Sequence, residues 1–208
     1  MIKVENIGVF GFEGSLRGMR NPLNSWHMAD SSFQGGKTYV GPKDLDLCKR
    51  LIKSGASHRK FLRMIHVQMD ITAPLYWWKD YDTYKVATVA NGCSTMHKIH
   101  AKEFTLEDFA YDELDECAVN LLEIIIASLN SYRQTFVDSR CKDRTAWCAM
   151  IKLLPSSYMQ KRTVDLNYET ILALIRDRRF HKLKEFRNLC EVLFNELPYL
   201  TAFYEAGM

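Results

Sequence analysis

The chain has 208 residues, 47% hydrophobic and 12% aromatic, enough to bury a sizeable core without help from disulfides or metals. Its 28 Lys and Arg against 25 Asp and Glu leave a formal net charge of +3, too little for a surface that coats DNA or RNA. No run approaches membrane-spanning length, the first residues lack a signal-peptide pattern, and Cys48, Cys93, Cys117, Cys141, Cys148 and Cys190 form no C-x-x-C pair. A soluble, cytoplasmic protein is expected, with no nucleic-acid partner, no membrane and no metal.

Residues 1–10, rich in Ile, Val and Phe, read as a strand, and Glu13 to Arg20 as a short helix ended by Asn21-Pro22. Residues 21–42 are dense in Asn, Ser, Gly and Pro and read as a long loop, a length more often functional than connective. Asp44 to Lys53 has helical spacing and stops at Gly55, whereas Met64 to Ile71 alternates as a strand. Ala73-Pro74 opens a helix carrying Trp77, Trp78 and Tyr81.

Thr105 to Asp108 can cap a short helix. Leu114 to Val137 is the clearest long helix, with Leu114, Cys117, Ala118, Leu121, Leu122, Ile125, Leu129, Tyr132 and Phe136 tracing one face. A helix over Arg144 to Leu153, an extended piece over Met159 to Leu166 and two closing helices follow, the last from Lys182 to Leu197. Nothing repeats and nothing is of low complexity, so residues 1–208 read as one compact α+β domain.

Three stretches, in order, resemble the flavin-dependent thymidylate synthases. The first is Leu16-Arg17-Gly18-Met19-Arg20, followed by Gly55-Ala56-Ser57-His58 and the strand from Met64 to Ile71. The second is Ala73-Pro74-Leu75-Tyr76-Trp77-Trp78-Lys79-Asp80-Tyr81, similar to the family's A-P-x-x-x-x-R-Q-W helix, which leads into the signature R-H-R-x-x-S-x-N-x-x-S-x-R. Without a gap, Thr83, Tyr84 and Lys85 fall on the R-H-R triplet, Thr88 and Cys93 on the serines, and Thr95 on the last arginine. With one insertion, Asn91-Gly92-Cys93-Ser94 matches N-x-x-S and Met96 takes that arginine's place. Both registers remain open, and both lose most of the arginines.

The third stretch is Leu154-Pro155 and then Asn167 to Arg178, similar to the family's L-P turn and N-x-R helix ending in L-R. The resemblance covers about residues 8 to 190 and implies an α+β fold with helices on a small sheet, and a homotetramer whose sites form between subunits. It also implies Arg178 as the arginine that holds and polarises a substrate pyrimidine, and Asn167 as a flavin contact. Glu169 stands where the family has an arginine, and Ile151 where it has a phosphate-binding arginine, with Lys152 next to it. The implied activity is methylation of dUMP using FAD, NADPH and methylenetetrahydrofolate.

That chemistry needs fixed cationic donors around phosphate and pyrimidine. Threonine supplies none, and a lysine supplies a point charge without the guanidinium fork. Ordinary family catalysis is therefore not expected, although an active FAD-dependent dUMP methylase stays as the alternative. The candidate catalytic residue is Arg178, and the candidate ligand-binding residues are Lys79, Tyr84, Lys85, Asn91, Cys93, Ser94, Asn167 and Arg178.

Each feature also has a plain structural reading. The run from Arg176 to Lys184 can be a solvated helix end, and Cys93 a small packed hydrophobe. Trp77, Trp78, Tyr81 and Tyr84 can stack a base or a flavin, or pack as core. His97 and His100 lack the pattern of a zinc site, and Lys161-Arg162, Arg140, Lys142 and Arg144 read as solvated charges. The expected function is capture of a nucleotide or nucleotide-derived signal by a homo-oligomer.

Overall fold

The computed structural model describes residues 1–207. It divides into two compact units, the first made of residues 1–3, 71–83 and 91–163, the second of residues 4–70, 84–90 and the chain from Val164 onward. The elements in order are β1 (Lys3–Phe10), α1 (Phe12–Met19), β2 (Ser32–Gln34), β3 (Lys37–Tyr39), α2 (Pro42–Lys53), β4 (His66–Pro74), α3 (Leu75–Tyr81) and β5 (Thr88–Gly92). Then come α4 (Glu116–Asp138), α5 (Arg144–Leu153), β6 (Met159–Asn167), α6 (Tyr168–Arg178), α7 (Lys184–Glu196) and α8 (Leu200–Gly207). Helices with a small sheet make this an α+β fold, as expected. The four-stranded sheet has the order β1-β4-β6-β5, and β2 pairs with β3 as an antiparallel hairpin.

In the first unit α4 packs on α5 around Phe104, Phe109, Leu122, Ile126, Leu129, Phe136 and Met150. The buried stripe of α4 is Leu122, Ile126, Leu129 and Phe136. This corrects the expected face, because Cys117, Leu121 and Tyr132 are exposed. A helix apolar on more than one side does not reveal from periodicity alone which side is covered. Trp77, Trp78 and Tyr81 are buried and mutually packed, with Trp77 stacked on Tyr81 at 5.0 Å, so these aromatics are core. The start of α3 is satisfied by backbone, with Leu75 N donating to Tyr158 O and Tyr76 N to Ser156 O.

In the second unit α6 is surrounded by α7, α8 and the 3-10 turn Lys60–Met64. Tyr168 packs edge-on to Phe12 and Phe203. Sequence reading missed α8, whose buried Leu200, Phe203 and Tyr204 follow helical spacing directly after the break at Pro198. It also missed β5, which is short and almost wholly exposed.

The expected loop over residues 21–42 is far more ordered than its composition suggests. It contains two 3-10 turns and the β2–β3 hairpin, and it wraps a buried ion pair. Arg20 Nε donates to Asp44 Oδ1 at 2.6 Å, its terminal amino groups donate to Ser25 and to Met28 O, and Asp44 Oδ2 accepts from Asp30 N, Ser31 N and Ser31 Oγ. Both side chains are almost fully buried, Arg20 at 3% exposure and Asp44 at 1%. At the start of α1, Gly11 has φ 90°, and a Cβ there would meet Met64 O at 2.2 Å, so only glycine fits.

Candidate functional site

The α6 helix begins where β6 ends. Asn167 closes the strand, is 4% exposed, and caps the helix through its side-chain oxygen, which accepts from Thr170 N at 3.0 Å. The buried stripe of α6 is Tyr168, Ile171, Leu174 and Ile175. Arg178 follows Leu174 and Ile175 by one turn, so it extends that stripe to the helix C-terminus.

There the guanidinium of Arg178 donates from Nε to the Tyr84 hydroxyl at 3.1 Å. Its central carbon lies 5.7 Å from the Tyr84 ring and 5.1 Å from the Phe186 ring, both within cation–π range. Tyr84 belongs to a short strap, residues 84–90, that the second unit takes from an otherwise distant part of the chain. The strap is tied internally by the Thr88 hydroxyl on Tyr84 O, and to α6 by the Thr170 hydroxyl on Val86 O at 3.4 Å. Ala87 takes a left-handed turn with φ 56°.

The neighbouring cations are engaged differently. Arg176 pairs with Asp177, while Arg179 donates to the Tyr204 hydroxyl and lies over the Phe180, Phe194 and Tyr204 rings. Arg187 bonds the carbonyls of His181 and Lys182. The run from Arg176 is therefore not a uniformly solvated helix end: Arg178 and Arg179 are laid over aromatic faces.

Glu169 sits in the first turn of α6 and accepts from Arg59 Nε at 3.0 Å and from Arg63 Nε. Burial opposes ionisation of this carboxyl, but the hydrogen bonds and charges of Arg63 and Arg59 outweigh it and hold it below its ordinary value. Neither arginine stands in a motif, and the spacing between 59, 63 and 169 carries no signal by which sequence reading could have found the triad.

Among the remaining candidates, Lys85 is exposed on the strap. Lys79, Asn91, Cys93 and Ser94 belong to the first unit, all exposed. Cys93 is held by its backbone, N to Lys161 O and O from Gln160 Nε2, and the Ser94 hydroxyl accepts from Met96 N and His97 N. What approaches Gly92 is the side chain of Arg162, whose Cγ would stand 2.9 Å from an added Cβ.

Arg162 is not a solvated charge. It lies 4.3 Å over Trp78, pairs with Asp82 at 2.8 Å and donates to Gln160, a cation–π contact and an ion pair that draw it off the surface. Thus the structure joins Tyr84 to Arg178, and leaves the other candidates in separate local roles. His100 packs edge-on to Phe136, and no group of three His, Cys, Asp or Glu is placed to hold a metal among the described residues. Nor is any helix among them long and apolar enough to cross a membrane.

By sequence, no family model and no curated relative matches the chain. The fold does match solved structures, and it defines the class as an α+β scaffold of helices on a small sheet. It is the fold of the flavin-dependent thymidylate synthase ThyX. One structure of the Helicobacter pylori enzyme complexed with FAD and dUMP superimposes with TM-score 0.69 at 17% identity, covering 98% of this chain and 99% of that one. A second structure of the same enzyme with FAD and dUMP gives TM-score 0.70 at 17% identity, with coverage of 100% and 99%.

Proposed function

We propose that this chain captures a nucleotide-class small molecule on a ThyX-like scaffold, with Arg178 as the residue that holds it. The observation that carries this reading is how Arg178 is held: its Nε–H bonds the Tyr84 hydroxyl of the strap, and its guanidinium lies within cation–π distance of the Tyr84 ring. A guanidinium fork is the side-chain donor that best matches phosphate or carbonyl oxygens.

The donor set does not fit the diphosphate of FAD. At the signature triplet only Lys85 is cationic, and the acid Glu169 replaces an arginine and is already engaged by Arg59 and Arg63. The oxygen of Asn167 is committed to capping α6. Sequestration of a nucleotide or nucleotide-derived signal accounts for the scaffold without the flavin chemistry. The proposed assembly is a homo-oligomer, measurable by light scattering of the purified protein.

One observation favours the alternative, an active FAD-dependent dUMP methylase: both H. pylori structures containing FAD and dUMP match over nearly the whole of both chains. An absorption spectrum separates the two. Capture predicts a protein that is colourless and takes up no added FAD, with a melting transition raised by a nucleotide such as dUMP and that rise lost in Arg178→Ala. A yellow protein that oxidises NADPH in the presence of dUMP sinks the capture reading.

A further inference from the structure

We infer that Tyr84 is the positioning residue of Arg178, fixing its guanidinium for an acceptor oxygen of the ligand; for its ligand this rests on the nucleotide-capture reading above. An arginine on the last turn of a helix has large rotamer freedom, and a ligand that must freeze it loses affinity accordingly. In this chain the freezing is done beforehand. The Tyr84 hydroxyl takes the Nε–H of Arg178 at 3.1 Å, which sets the plane of the fork, and the rings of Tyr84 and Phe186 both lie within cation–π distance.

Arg176, Arg178 and Arg179 lie within four residues of one another, and among the described residues the Nε–H of Arg176 bonds Asp177, that of Arg178 bonds Tyr84 of the strap, and Arg179 donates to Tyr204. Tyr84 is itself anchored, because its carbonyl accepts from the Thr88 hydroxyl and the strap is bonded to Thr170 at the other end of α6 through Val86. The degenerate motif window thus keeps a structural role, in which its aromatic residue aims an arginine that lies 94 positions away in sequence.

The test uses the full chain. Side-chain nitrogen NMR of the ligand-free protein reads the Arg178 Nε–H directly, with Arg178→Lys assigning the signal, and calorimetric titration reads dUMP affinity. In Tyr84→Phe, which keeps the ring and removes the hydroxyl, the Arg178 signal should shift and exchange faster. The dUMP affinity should fall about tenfold, as loss of a hydrogen bond to a charged group predicts, at an unchanged melting midpoint. Tyr84→His, which restores an acceptor, should recover most of the affinity.

With a parent that binds dUMP, parent-like affinity in Tyr84→Phe overturns the inference, and an unmoved signal overturns it in any case. A parent protein that ignores dUMP, or an Arg178→Ala variant that binds it as tightly as the parent, overturns the nucleotide reading. The shift of the Arg178 signal in ligand-free Tyr84→Phe then still decides whether Tyr84 holds the arginine.

Discussion

Glu169 and Arg178 lie nine residues apart on α6, and at about 100° per residue they stand on opposite sides of the helix. The acid end of α6 is engaged by Arg59 and Arg63, the basic end by Tyr84. The two ends are therefore separable by mutation. Glu169→Gln should leave dUMP binding at the parent level, whereas Arg178→Ala should abolish it. Equal losses in both variants, measured by calorimetry, would show that one ligand reaches both.

The same triad gives a pH dependence with a defined sign. Glu169 has an ordinary value of 4.5 and is held lower in the fold, so its contribution is fully present above about 4.5 and is lost as pH falls through the folded value. Asp44 behaves alike from its ordinary 3.8: burial raises its pKa, but the bonds from Ser31, Arg20 and Asp30 outweigh that. Melting midpoints should accordingly fall as the pH drops below about 4.5, and Glu169→Gln should flatten the upper part of that fall. An unchanged profile in Glu169→Gln would count against the triad.

Asp44→Asn should destabilise strongly, by about 3–5 kcal/mol, because it leaves the buried Arg20 cation without its counter-charge. Urea denaturation measures this, and limited proteolysis within residues 21–42 should accelerate in the same variant. A loss below about 1 kcal/mol would mean that the loop is held by its turns alone.

Gly11→Ala should lose at least about 2 kcal/mol, combining a left-handed backbone with a methyl placed against Met64 O. On α4, Leu129→Ala should cost about 2–5 kcal/mol while Leu121→Ala, 58% exposed, stays within about 0.5. Equal effects at the two leucines would restore the broader face that periodicity suggested.

Local chemistry was legible in the sequence wherever one element decides it. The α5 boundaries, the cap at Thr105–Asp108, and the strand from Met159 all follow from propensity, capping and alternation. The order of three stretches was enough to indicate the fold. What stayed hidden were pairings across long separations: Arg20 with Asp44, Arg59 with Glu169, Tyr84 with Arg178 and Arg162 with Trp78. Each joins residues 24 to 110 positions apart, so no local window contains both partners.

Asn167 ends β6 and starts α6 with one side chain, and so acts as the zero mark of an angular scale. Arg178 is read off that scale eleven positions later, about three full turns on and nearly in line with Asn167. A start displaced by a single residue would swing the guanidinium about 100° around the axis and carry it away from Tyr84. The aim of the arginine is thus determined about 16 Å from where it acts.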